Sequence, residues 1–209
     1  MLSGSSNLID FEMTPWHCLG IPTITYYGQT YNTIQIGTQC WLKENLNVGT
    51  MINSTTSGYQ QTDNSITEKY CYDNNESNCD VYGGLYEWTE AMQYATTEGA
   101  QGICPTGWHI PTYAEYQILE IHVNDEAKQL LAVGQTTSAT NETGFPGLLA
   151  GLRYDNFDSY VFLSSRAYFW SSTESGINAI SMDLFNDYSI VDSSNTSKGY
   201  GFSVRCLKD

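Results

Sequence analysis

A chain of 209 residues is long enough for one substantial domain and too short for two large ones. Its 8 Lys and Arg against 23 Asp and Glu give a formal net charge of -15, which repels phosphate backbones and anionic lipid heads and so excludes nucleic acid and acidic membrane surfaces as natural partners. No apolar run approaches the roughly 20 residues of a membrane-spanning helix.

Residues 1–22 read as a loosely attached leader, and 23–209 as the domain. The opening "MLSGSSNLIDFEM" lacks the basic and apolar regions of a signal peptide; either a signal has been removed or export takes another route. "ITYYGQTYNTIQIG" predicts two short strands around a turn at Gly28, with Ile34 and Ile36 alternating. "CWLKENLNVG" then places Trp41, Leu42 and Leu46 at helical spacing before a stop at Gly49. From Thr50 to Lys69 the Ser/Thr/Asn/Gln-rich chain predicts a long surface loop. In "GGLYEWTEAMQYA", Leu85, Trp88, Ala91, Met92 and Ala95 keep a 3.6-residue period, the mark of an amphipathic helix.

"CPTGWHIPTYAEYQILEIHV" carries the most structured signal. Pro105 and Gly107 shape a turn, and Trp108 and Ile110 are expected inside. Thr112 stands at an N-cap position with Glu115 three residues on, a capping box. Tyr116, Leu119 and Val123 mark one helical face, and "DEAKQLLAVG" predicts another short helix with Asp125 near its N-cap. After the polar "QTTSATNETG" come strand-like segments: "FPGLLAGLRY", "YVFLSS", "YFWSST", "AISMDLF", "YSIVD" and "YGFSVRC". Helices in the middle and short strands toward the end predict an α+β arrangement.

Six cysteines, at 18, 40, 71, 79, 104 and 206, point to disulfides and an oxidising location, with no CxxC pair for zinc or thiol redox chemistry. Cys71 and Cys79 are spaced for a local bridge over a polar turn; Cys104 and Cys206 open and close the C-terminal half, which leaves Cys18 and Cys40 for each other. The alternative is six reduced structural thiols.

"YNTIQIGTQCWLKENL", "YGGLYEWTEAM", "CPTGWHIPTYAEYQIL", "TGFPGLLAGLRY", "FWSSTES" and "GYGFSVRCLKD", in that order, resemble the Fibrobacter succinogenes major paralogous domain from about Ile24 onward. The resemblance implies a C-type-lectin-like fold of the formylglycine-generating-enzyme variety, with two main helices against a small irregular antiparallel sheet. It also implies secreted or surface-displayed binding modules. A second resemblance is narrower. The segment from Phe169 to Cys206 looks like the variable region of proteins diversified by diversity-generating retroelements. There, randomised AAC codons yield Asn, Ser, Thr, Asp, Tyr and Ile among others, but not Lys, Met, Trp, Glu or Gln. Trp170, Glu174, Met182 and Lys198 would then be fixed positions.

Catalytic and metal motifs are absent. HExxH, GxSxG, a phosphate loop and a DxDxDG calcium loop do not occur. Nor do the "EPN", "QPD" or "WND" motifs of calcium-dependent sugar binding. Strand alternation would scatter Asp183, Asp187 and Asp192 as calcium ligands. His109 reads as a turn-packing residue and His122 as a helix-edge residue. Glu115 is explained by capping, and Glu87 and Glu90 by helix solvation, so neither they nor Glu120 make a convincing acid/base pair.

The expectation is a non-catalytic module without cofactor or metal, extracellular or on the cell surface. Its partner would be a protein or glycan on another cell or particle. The contact surface is expected from Ile177, Asn178, Ile180, Ser181, Asp183, Phe185, Asn186, Asp187, Tyr188, Asp192, Ser193 and Ser194, with Trp170 beneath, inside a variable segment 170–206. Small polar residues and Tyr suit a paratope. Alternation requires some of them to turn inward, Phe185 and Ile180 first. The rival readings are a structural envelope or adhesin module, or an enzyme of the formylglycine-generating type.

Overall fold

The computed structural model describes residues 17–54, 61–155 and 159–209. Residues 1–16 of the expected leader therefore lie outside the described residues; Cys18, within its last part, is buried and bonded to Cys40. The strands in chain order are β1 (Thr23–Tyr26), β2 (Gln29–Ile36), β3 (Gln39–Leu42), β4 (Thr50–Met51), β5 (Glu68–Lys69) and β6 (Trp108–His109). They continue as β7 (Ala150–Arg153), β8 (Tyr160–Leu163), β9 (Arg166–Ser175), β10 (Asn178–Phe185), β11 (Asp192–Ser197) and β12 (Leu207–Lys208). The helices are α1 (Glu76–Tyr82), α2 (Trp88–Ala91) and α3 (Tyr113–His122).

Two five-stranded sheets dominate, in the orders β1-β2-β3-β12-β6 and β11-β10-β9-β7-β8, with β4 and β5 forming a small parallel pair. The expected α+β, C-type-lectin-like arrangement of two main helices on a small sheet is therefore wrong: the molecule is mostly β, built on two curled sheets. Two of the predicted helices account for the error. Residues 39–42 form β3, buried throughout, and Leu46 and Val48 beyond it are equally enclosed; a segment covered on all sides carries no amphipathic period to read. In "GGLYEWTEAM", Tyr70 pairs with Leu85 and Phe202 with Tyr86, so neighbouring chain claims the backbone and only Trp88–Ala91 is helical.

Smaller differences have similar causes. The polar turn expected between Cys71 and Cys79 contains a 3-10 turn (Tyr72–Asn74) and α1, whose cap Asn75 accepts from the Ser77 amide. The helix expected near Asp125 is a 3-10 turn, Ala127–Gln129, because the Asp125 carboxylate instead accepts from Val191 N at 2.9 Å. "YSIVD" is not a strand except for its last residue, Asp192, which begins the polar strand β11.

Other readings are met. β1 and β2 make a hairpin whose turn residues Tyr27 and Gly28 have φ of 50° and 75°, the backbone a two-residue hairpin requires. All three disulfides pair as read. Thr112 and Glu115 form the capping box of α3, which buries Tyr116 and Leu119. Gly151 has a positive φ, and a Cβ there would lie 2.5 Å from Val161 O, so β7 and β8 approach as closely as glycine allows.

His109 closes the first sheet against α3. Its Nδ1 lies 2.7 Å from Asp209 Oδ1 and its Nε2 3.1 Å from both Glu115 oxygens. The Glu115 hydrogen bond raises the imidazole pKa above 6.5, and Asp209 adds to it against the opposing effect of burial. The clasp therefore contributes fully below about pH 6.5 and loses its contribution as pH rises through the raised folded value. In His109→Gln, the deficit in melting temperature relative to wild type is expected to be largest below that pH and to shrink above it. A second test uses the disulfides. Cys104 and Cys206 are 102 residues apart and Cys71 and Cys79 only 8. Loop entropy then predicts that replacing the first pair by Ala costs about 5 kcal/mol and the second about 2.5, measured by urea denaturation.

Candidate functional site

The expected contact surface sits at the β11 end of the second sheet, and cross-strand register sorts its residues onto two faces. On β10, Ser181 lies opposite Trp170 and Ser194, and Asp183 opposite Tyr168 and Asp192. On the other face Met182 lies opposite Phe169 and Ser193. Met182, Phe169 and Leu184 join a core with Tyr116 and Leu119 of α3. Ser193 sits at the rim of that face, its hydroxyl 3.1 Å from Tyr113 OH.

The opposite face is aromatic. Trp170 stacks on Phe202 at 4.2 Å, and Phe202 on Tyr168 at 4.8 Å. Tyr168 meets Phe185 at 6.0 Å and Phe185 meets Tyr188 at 5.8 Å, both edge to face. A branch runs from Phe202 to Tyr200 and Tyr154. The Arg166 guanidinium lies over the rings of Phe162 (4.3 Å) and Phe185 (5.0 Å) and donates to Tyr168 OH at 3.3 Å. The ladder starts at a fully buried Trp170 and reaches solvent at Tyr188, which is 58% exposed.

The candidates divide accordingly. Ile177 is 91% exposed, and Asn186, Asp187, Tyr188, Asp192 and Ser193 are exposed as well. Asn178, Ile180, Phe185 and Ser194 are half-buried. Ser181 and Asp183 are fully buried, where Phe185 and Ile180 were expected to be the inward residues. The reason is that β10 is a central strand covered on both faces, with a register irregularity between Ala179 and Ser181, so alternation there does not separate inside from outside. Tyr154, Phe162, Arg166, Tyr168 and Tyr200 belong to the same surface and escaped the sequence reading. Tyr200, two residues before Phe202 in "GYGFSVRC", was the readable one.

Asp183 is the titratable centre of this face. Ser181 Oγ donates to its Oδ1 at 2.6 Å, and Ser194 Oγ donates to its Oδ2. Burial pushes its carboxyl up to about 7 despite these two hydrogen bonds. The carboxylates considered for hydrolysis hold structural posts. Glu87 accepts from Tyr70 OH (3.0 Å) and pairs with Arg153 (3.2 Å). Glu90 accepts from Glu68 N and Tyr94 OH. Both are buried, not solvated on a helix as expected. Among the described residues no group of three His, Cys, Asp or Glu gathers to hold a metal ion.

The family described as the Fibrobacter succinogenes major domain matches residues 34–208. The chain belongs to that family. No curated protein and no solved structure matches it. The match covers the whole second sheet, the first sheet from the end of β2 onward, α3, the aromatic face and two of the disulfides, so the surface described above is part of the family domain. Three disulfides are consistent with an oxidising environment, and no helix among the described residues is long and apolar enough to cross a membrane.

The raised Asp183 pKa has a readable consequence. Between pH 3.8, the ordinary aspartate value, and about 7, the folded protein keeps a proton the unfolded chain has lost. Asp183 therefore contributes most below pH 3.8, and that contribution drains away as pH rises through about 7. Asp183→Asn removes this slope. Above pH 7.5 the variant is expected to gain on the order of a few kcal/mol relative to wild type, and acid conditions should abolish the gain. A melting series from about pH 4 to 8 in which the two proteins run parallel would contradict the assignment.

Proposed function

We propose that this domain is a non-catalytic binding module, secreted or surface-displayed, that recognises protein or glycan through the β10–β11 hairpin and the adjoining aromatic ladder, and that a retroelement diversifies this hairpin. The single observation that carries the reading is the division of labour in the second sheet. Small polar side chains and Tyr are exposed at the hairpin, while the layer immediately beneath them is rigidly packed. Tyr gives contact area at low entropic cost, and Ser, Asn and Asp adapt their hydrogen bonds.

The four residues that adenine randomisation cannot produce support the diversification reading. Trp170 and Met182 are core. Glu174 and Lys198 pair with each other beside the hairpin, and Lys198 also lies 4.3 Å above the Trp88 ring. Substitution at any of these would disturb the frame, whereas Asn186, Asp187, Tyr188 and Asp192 can change without removing a core contact. The partner's charge follows from the net charge of -15, which disfavours anionic polymers. All six cysteines are in disulfides, which leaves no thiol for the cysteine chemistry of a formylglycine-generating enzyme.

Two measurements test this. Replacing Ile177, Asn186, Asp187, Tyr188 and Asp192 together by Ser is expected to move stability by less than about 1 kcal/mol while removing binding to any protein or glycan array feature that the wild type captures. An unchanged array profile would refute the assigned surface. For diversification, the DNA beside the gene should carry a near-copy of the final coding stretch that differs at adenines, next to a reverse transcriptase; its absence would refute that half of the proposal.

A further inference from the structure

Lys69 is buried and lies outside the aromatic face. Its Nζ donates to Asn47 Oδ1 at 2.5 Å, and both residues are 7% exposed. Among the described residues no carboxylate forms an ion pair with it, although Glu76 and Asp80 of α1 act on it from a distance. Burial lowers its pKa and those two charges partly restore it. An enclosed lysine with an amide as its hydrogen-bond partner holds its proton less firmly than one paired to a carboxylate.

Both ends of the pair are fixed. Asn47 N donates to Tyr31 OH at 3.1 Å, and Asn47 O accepts from Gln29 Nε2 at 2.9 Å. Lys69 lies on β5, paired in register with Met51 of β4, and its carbonyl accepts from Ile52 N at 2.9 Å. An amine carried on a paired strand and held against an amide whose own backbone is fixed by Tyr31 and Gln29 reacts as if at very high local concentration.

We propose that Lys69 and Asn47 form an intramolecular isopeptide bond, Lys69 Nζ to Asn47 Cγ. The neutral amine adds its lone pair to Cγ and the carbonyl electrons move to Oδ1. The tetrahedral adduct then collapses as Nδ2 takes a proton originally on Nζ and departs as ammonia. One C–N bond forms and one breaks, a single ammonia leaves, and no oxidant or co-reactant is consumed. The product ties residue 47 to residue 69 and closes the Ser/Thr-rich segment between them into a covalent loop.

The test is mass spectrometry of the purified full chain, held at about pH 9 to free the amine. With the three disulfides accounted for, the wild type is expected to be lighter than its sequence by one ammonia. Lys69→Arg and Asn47→Ala are expected to show full mass. Trypsin does not cut after an acylated lysine, so reduced and alkylated wild type should lack the peptide 44–69 and run through to Lys128, the next basic residue. Asn47→Ala should release the peptide. Fragmentation of the wild-type product must place the link between 47 and 69. A wild type of full mass that yields peptide 44–69 would show that the contact is a hydrogen bond only, and would overturn the proposal without needing either variant to fold.

Discussion

The segment Gly201–Lys208 joins the two sheets, and the rest of the structure depends on its position. Phe202 exchanges both backbone hydrogen bonds with Tyr86, at 2.8 and 3.0 Å, while its ring stacks between Trp170 and Tyr168. Ser203 bridges to Tyr168 and Trp170 of β9, and Val204 O accepts from Leu46 N. Cys206 is bonded to Cys104 and its carbonyl accepts from Leu42 N. Leu207 then pairs with both Trp41 and His109. Arg205 is held inside this segment by Asn45 Oδ1 and the carbonyls of Leu42 and Phe145, with its guanidinium 4.3 Å above the Phe145 ring. Carbonyl dipoles and ring faces compensate its lost hydration, and burial still lowers its pKa to about 10.

This anchoring explains why a chain can expose a polar, aromatic hairpin at the end of its second sheet. β11 is an edge strand, and an edge rich in Ser, Asn and Thr is less prone to pair with another chain than an apolar one. Its side chains bear little weight because β10 behind it is packed on both faces, by α3 on one side and by the Trp170–Phe202–Tyr168 stack on the other. A buried ion pair lies in a different layer. Arg153 reaches Glu87 and the Gly199 carbonyl and so ties β7 to the chain that returns from the hairpin. Variation at the surface and rigidity beneath it are thus carried by different residues.

Features with a local physical cause were legible in advance. The Thr112–Glu115 capping box, the Gly28 hairpin and the inward face of α3 each depend on residues within one or two turns of one another. The cysteine spacing also sufficed, because three bridges among six cysteines leave few pairings compatible with one local bridge and one long one. The helical spacings at 41–46 and 85–95 misled, because in a segment enclosed on all sides the apolar spacing reports no single face, and backbone partners distant in sequence settle the conformation. The same limit hid part of the candidate surface: Tyr154, Phe162 and Arg166 reach it only because β7, β8 and β9 lie side by side.

Sequence alone determined the family motifs, the disulfide pairing, the acidic surface charge and the place along the chain where polar and aromatic residues concentrate, since composition and short-range spacing are properties of the chain itself. Tertiary structure decided that the fold is mostly β, that Ser181 and Asp183 rather than Phe185 and Ile180 turn inward, and that Lys69 meets Asn47. Each of those depends on which strands become neighbours, and that is set by the summed burial of residues far apart in the chain, which no local pattern records.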